Sequence, residues 1–251
     1  MAAAPAKTPA TTPRTSTRVP RPVVYPTSDG KPMAETDKHA DLMVYFKEAL
    51  KAFVRLTGRF AYVSGNNFLF WQEGDPRKKV SPDCYVVPGV SPDPRDSYMA
   101  WKEGGKLPSV VFEFTSRKTQ KEDTDTKRPL YEQVLKVPEY FQFDPTGDYL
   151  RPRLQGLRLD ENGVYQPIPL ENGRMHSEQL GLDLVQEGET VRLFDPARQE
   201  FLLTPQELAA RAEAEAARAE AEAARAEAAE AELARLRARL AALEGGSAGG
   251  S

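Results

Sequence analysis

The feature that most restricts the fold is one short run, Val110-Val111-Phe112-Glu113-Phe114, apolar throughout except for a single acid. A strand this continuously apolar suits the centre of a sheet covered on both faces, because strands with one wet face alternate apolar and polar residues. Covering both faces takes helices, so the expected class is α/β. The acid stands out against that background. An ionised carboxylate inside such a strand is costly unless a cation or hydrogen bonds compensate it.

The flanking sequence supplies the other layers. Leu42, Tyr45, Phe46, Ala49, Leu50 and Phe53 recur at helical spacing and predict an amphipathic helix over about residues 37–56, ended by Gly58. Strand-type runs follow at 60–63, 67–71, 85–87, 109–114, 139–143 and 149–154. A second helix is predicted over roughly 126–136, with Leu130, Val134 and Leu135 inward and Pro129 in its first turn. A β-rich meander then runs to about residue 204, with turns at Asn162-Gly163 and Asn172-Gly173. This order predicts a central mixed sheet flanked by helices over residues 33–204.

The two ends have different compositions. Residues 1–32 contain seven prolines among Ala, Thr and Arg and predict a disordered tail. Its cations Lys7, Arg14, Arg18 and Arg21 suit phosphate contacts, although a solvating leader needs no such role. At the other end, Thr204, Pro205 and Glu207 form a capping-box pattern that opens a glycine-free Ala/Glu/Arg/Leu stretch over 205–244. A seven-residue period starts at Arg211, Arg218 and Arg225, and Leu233, Leu236, Leu240 and Leu243 fall at coiled-coil spacing. Alanines from Ala212 to Ala226 continue the seam weakly, with a short step at Ala229. The alternative is a lone helix held by Glu/Arg pairs. Residues 245–251 read as a flexible Gly/Ser linker or tail.

Several functional classes fall away. No apolar run approaches the roughly 20 residues of a membrane helix. The single cysteine, Cys84, cannot form an internal disulfide, and with no secretory leader in view a cytoplasmic setting is expected. His39 and His176 are too far apart for a zinc pattern. The net charge of −3 does not by itself suggest a nucleic-acid binder, but a carboxylate metal site would contribute acid to that total.

The constellation with chemical content is Ser81-Pro82-Asp83 followed, thirty residues later, by Glu113. Alone, Asp83 reads as a turn residue and Glu113 as half of an ion pair. Together, two carboxylates beside strands can share a cation, and hard oxygen ligands with retained water suit Mg2+ or Mn2+. Such a metal activates water and stabilises charge developing on a phosphodiester.

Ser-Pro-Asp83, Val-Phe-Glu113-Phe-Thr-Ser116, Asp123, Lys127, Tyr131 and Val137-Pro-Glu-Tyr-Phe-Gln-Phe-Asp-Pro145 occur in that order. Gly30-Lys-Pro-Met-Ala-Glu35 and His39 precede them. This sequence resembles the restriction-endonuclease family known as Uma-two, within the PD-(D/E)XK nuclease superfamily, over about residues 28–195. The resemblance implies a restriction-endonuclease-like core and an Mg2+- or Mn2+-dependent endonuclease acting on DNA. It implies Asp83 and Glu113 as metal ligands and Glu35 as an accessory acid. The superfamily's lysine two residues after the glutamate is replaced here by Thr115. The resemblance implies that Lys127, on the next helix with Tyr131 one turn on, takes its place, with Lys118 and Lys121 as rivals. The competing expectation is a catalytically inactive nuclease fold that binds DNA or a protein. In both cases residues 205–244 are expected to drive homo-oligomerisation.

Overall fold

The computed structural model describes residues 23–28, 36–115 and 119–247. Helix α1, Asp37–Leu56, begins at Thr36, whose hydroxyl accepts the His39 backbone N–H at 3.4 Å. Among the described residues, thirteen strands follow in chain order. They are β1 Ala61–Ser64, β2 Phe68–Phe70, β3 Lys79–Val80, β4 Cys84–Pro88, β5 Ser97–Met99, β6 Val110–Phe114 and β7 Glu139–Phe143. Beyond these lie β8 Leu154–Leu159, β9 Tyr165–Pro167, β10 Arg174–Ser177, β11 Leu182–Glu187, β12 Thr190–Asp195 and β13 Glu200–Phe201. Helix α2 lies between β6 and β7: it opens at Gln120–Glu122 and continues through two wide π turns, Asp123–Lys127 and Leu130–Val134. Helix α3 spans Pro205–Ser247.

The central sheet has six strands in the order β1-β4-β6-β7-β8-β9. Within it β6 and β7 run parallel, and α2 is their crossover. Strand β6 is buried at every position, as its composition requires. Its even-numbered residues Val110, Phe112 and Phe114 pack with α1, while Val111 shares the opposite core with Tyr85, Tyr131 and Tyr140. A four-stranded sheet, β10 to β13, packs on the α1 side. Tyr45 ties it to α1: its hydroxyl accepts the Leu193 N–H at 2.9 Å and donates to the Leu202 carbonyl at 3.2 Å. A three-stranded sheet, β3-β2-β5, shares the core on the other face, where Tyr98 stacks on Tyr62 and meets Tyr85 edge-on. The class is therefore mixed α/β with a long C-terminal helix.

Four expectations are corrected. Helix α2 starts six residues before the predicted 126, which puts Pro129 in its interior. The missing proline N–H is accommodated by the wide turns on either side, where Arg128 N–H bonds Asp123 and Leu135 N–H bonds Leu130, each five residues back. The inward face then carries Lys127, Tyr131 and Leu135, and Val134 is turned out to 55 % exposure. Residues 149–153 form a loop rather than the start of a strand, because the Asp144 carboxylate accepts the backbone N–H groups of Thr146, Gly147, Tyr149 and Leu150. Residues 23–28, placed with the disordered tail, lie on the three-stranded sheet. There Tyr25 meets Phe70 and Trp101 at ring distances of 5.2 and 5.1 Å and accepts the Gly74 N–H at 2.6 Å. The rest of that tail lies outside the described residues, apart from the short stretch just named.

The capping box at α3 is present in both directions: Glu207 N–H donates to Thr204 Oγ1 at 3.2 Å and Thr204 N–H to Glu207 Oε2 at 2.8 Å. The helix continues to Ser247, three residues past the expected 244. Leu233, Leu236 and Leu240 are 48–59 % exposed. No helix among the described residues is long and apolar enough to cross a membrane.

Candidate metal centre

The antiparallel register of β4 against β6 sets Cys84 opposite Phe112, which places Asp83 opposite Glu113 on one face of the sheet. Asp83 lies just before β4, and its position is fixed from two sides. Its Oδ2 accepts the Phe114 N–H at 2.7 Å, and Asn66 N–H bonds the Pro82 carbonyl at 2.8 Å. The turn carrying Asn66 comes so close that a Cβ on Gly65 would fall 2.0 Å from the Asp83 carbonyl oxygen. Glycine there is a condition of the loop that presents the acid.

Glu113 is fully buried, and both of its oxygens are engaged by α2. Lys127 Nζ lies 2.8 Å from Oε2, and Tyr131 donates its hydroxyl to Oε1 at 2.7 Å. Lys127 also lies 3.1 Å from Asp123 Oδ1, one turn back on the same helix. Thr115, at the position two after Glu113, donates to Asp123 Oδ2 at 3.5 Å. His39, from the first turn of α1, places Nε2 3.2 Å from Asp83 Oδ2 and packs its ring edge-on against Phe114.

The electrostatics follow from three acids around one ammonium. Burial pushes the Glu113 carboxyl well above its ordinary range; Lys127 opposes this, and the charges of Asp83 and Asp123 add to it. Burial likewise raises Asp123, again against Lys127. Burial alone would depress Lys127, but Glu113, Asp83 and Asp123 together outweigh it and hold the ammonium protonated. Burial, then the charge of Glu113, keeps the Tyr131 phenol neutral. The Cys84 thiol is kept protonated by burial and by Asp83, so it is no nucleophile.

The structure thus brings together Asp83, Glu113, Lys127, Thr115 and Tyr131. Glu35 and Lys118 lie outside the described residues, and Lys121 is exposed. The sequence reading gave His39 and Asp123 no role in the site. Their signals were present, since Asp123 and Lys127 are spaced to share a helix face and His39 stands in the first turn of α1. Among the described residues, no group of three or more His, Cys, Asp or Glu side chains is arranged to hold a metal. The donor chemistry nevertheless fits Mg2+ or Mn2+, which bind through one or two carboxylates and keep several waters. The crowded acids already enclose one cation, the Lys127 ammonium.

The family model described as "Putative restriction endonuclease" matches residues 20–192, more than half of the chain. Among solved structures, the crystal structure of "a putative nuclease belonging to DUF820" from Anabaena variabilis is 14% identical, with a TM-score of 0.41. That match covers 61% of this chain and 81% of the other. No curated protein is matched.

Proposed function

Because the chain belongs to the Uma2 family of putative restriction endonucleases, we propose that it is a divalent-metal-dependent endonuclease that hydrolyses phosphodiester bonds of DNA. The observation that carries this reading is the buried cluster in which Glu113, with Asp83 across the strand pair, is met by Lys127 at 2.8 Å. A structural ion pair needs one acid, whereas this ammonium contacts two and feels the charge of a third, Asp83.

Asp83 and Glu113 would hold the metal, with Mg2+ or Mn2+ favoured by an all-oxygen donor pair. When bound, the metal supplies an acidified water and neutralises charge on the phosphodiester. The chain's own groups do the positioning. Phe114 N–H and His39 fix the rotamer of Asp83, and Tyr131 fixes that of Glu113. Asp123, held by Thr115, keeps the Lys127 ammonium at the acids, where it can meet a phosphate oxygen as negative charge grows. Residues 205–247 would join two such heads through the exposed leucines of α3, so that two single-strand cutters meet one duplex.

One observation favours the rival reading, a nuclease fold that grips DNA without cutting it. Lys127 already satisfies Glu113 and Asp123, as it would in a protein that needs no metal. Incubation with supercoiled and linear DNA, with and without Mg2+ or Mn2+, separates the two readings. Cleavage that requires the metal and is lost in Glu113→Gln supports the enzyme. DNA binding without cleavage in every metal supports the rival, and equal cleavage by wild type and Glu113→Gln would place the activity elsewhere.

A further inference from the structure

The sheet carries the polar line of the metal centre one strand further. Parallel pairing of β6 and β7 sets Gln142 beside Glu113, so Asp83, Glu113 and Gln142 form a row across three adjacent strands on one face. The neighbours of Gln142 show that it is out of place by pattern: Tyr140, Phe141 and Phe143 are core residues on either side of it. Gln142 is 7 % exposed, and its amide Nε2 is buried with no hydrogen-bond acceptor among the described residues. A buried donor without a partner is destabilising, and leucine would fit the strand without that cost.

We propose that Gln142 is a substrate-contacting residue whose amide N–H donates to a non-bridging phosphate oxygen of the nucleic acid. This rests on the nuclease reading above and adds a residue that neither the family match nor the carboxylate pair assigns. The geometry limits what the amide can meet. Neighbouring strands lie about 4.8 Å apart, so a phosphate bound at a site held by Asp83 and Glu113 would lie beside the strand that carries Gln142. The amide is an uncharged donor and can approach the phosphate without competing for the metal, which Asp or Glu at this position would do. Strand β7 is buried at all five positions, so the donor is fixed before substrate arrives.

The test is Gln142→Leu in the full chain, compared with wild type in four measurements: thermal unfolding, Mn2+ titration, binding of a linear duplex in Ca2+, and cleavage kinetics in Mg2+. A lost hydrogen bond to a charged group weakens binding roughly tenfold to a hundredfold. The expected result is that loss in duplex affinity, seen as a raised KM, with Mn2+ affinity unchanged and a melting temperature equal to or above that of wild type. A variant that binds and cuts like an active wild type overturns the proposal and leaves the nuclease reading standing. A variant that melts several degrees lower and loses everything in parallel makes Gln142 a packing residue and overturns it too. A wild type that neither binds nor cuts the duplex ends both.

Discussion

The molecule holds its charges in two contrasting ways. Around Lys127, the carboxylates of Glu113 and Asp123 are buried with the ammonium, at contacts of 2.8 and 3.1 Å, and the partly buried Asp83 adds its charge. Along α3, Arg and Glu alternate in the open, as in the Arg211–Glu215 pair at 3.1 Å with both side chains about two-thirds exposed. The distances are nearly the same and the consequences are not. In water such a pair contributes about 0.3–0.5 kcal/mol and serves to keep a helix soluble. Out of water, each charge would be costly if left alone, so a buried excess of acid marks a candidate functional site. The location of these charges, and not their number, points to function. The sequence's net charge of −3 therefore says little about whether the chain handles nucleic acid.

The largest effect should come from Lys127→Met. It leaves Glu113 and Asp123 without their cation, and removing one partner from a buried ion pair costs about 3–5 kcal/mol. The pH dependence has a definite sign. Glu113 and Asp123 have raised values in the folded state, so their contribution is full below the ordinary carboxylate range and is lost as pH rises through the raised values. Chemical denaturation should therefore show a greater deficit for Lys127→Met at pH 8 than at pH 5. Equal stability of variant and wild type at pH 8 would mean that the acids are solvated and the cluster is not a charge trap.

The smallest effect on the head should come from the tip of α3. Leu236→Glu with Leu240→Glu changes side chains that are 52 % and 59 % exposed, so the unfolding free energy of the head should move by no more than about 0.5 kcal/mol. Mass in solution should nevertheless fall, because a coiled-coil seam cannot tolerate paired carboxylates. Sedimentation giving one mass for both proteins would show that α3 does not pair with itself.

The same contrast explains what the sequence could reveal. Strand β6 was legible because burial on both faces leaves an almost continuous apolar run, and Glu113 was legible as the exception within it. The capping box of α3 was legible because its two bonds join residues three apart. Helix α2 was half hidden. Its first turns, Gln120 to Asp125, are polar and the proline at 129 imitates a helix start, so the helix was begun six residues late even though the four-residue spacing of Lys127 and Tyr131 was visible. The loop at 149–153 was read as a strand because its organising contact, the carboxylate of Asp144, is a side chain acting on backbone several residues away. Gln142 carried the same signal as Glu113, a polar residue in an apolar strand, and only the register between β6 and β7 makes the two neighbours.

The central claim is that the buried cluster is a metal centre, and Mn2+ titration by calorimetry tests it without depending on any substrate. Wild type should bind one Mn2+ per chain. Glu113→Gln should weaken that binding at least about tenfold while leaving the fold intact, since Lys127 keeps Asp123 as its counter-ion. The Leu236→Glu, Leu240→Glu protein should bind as wild type does. A wild type that takes up no Mn2+, or a Glu113→Gln protein that binds it equally well, would contradict the account.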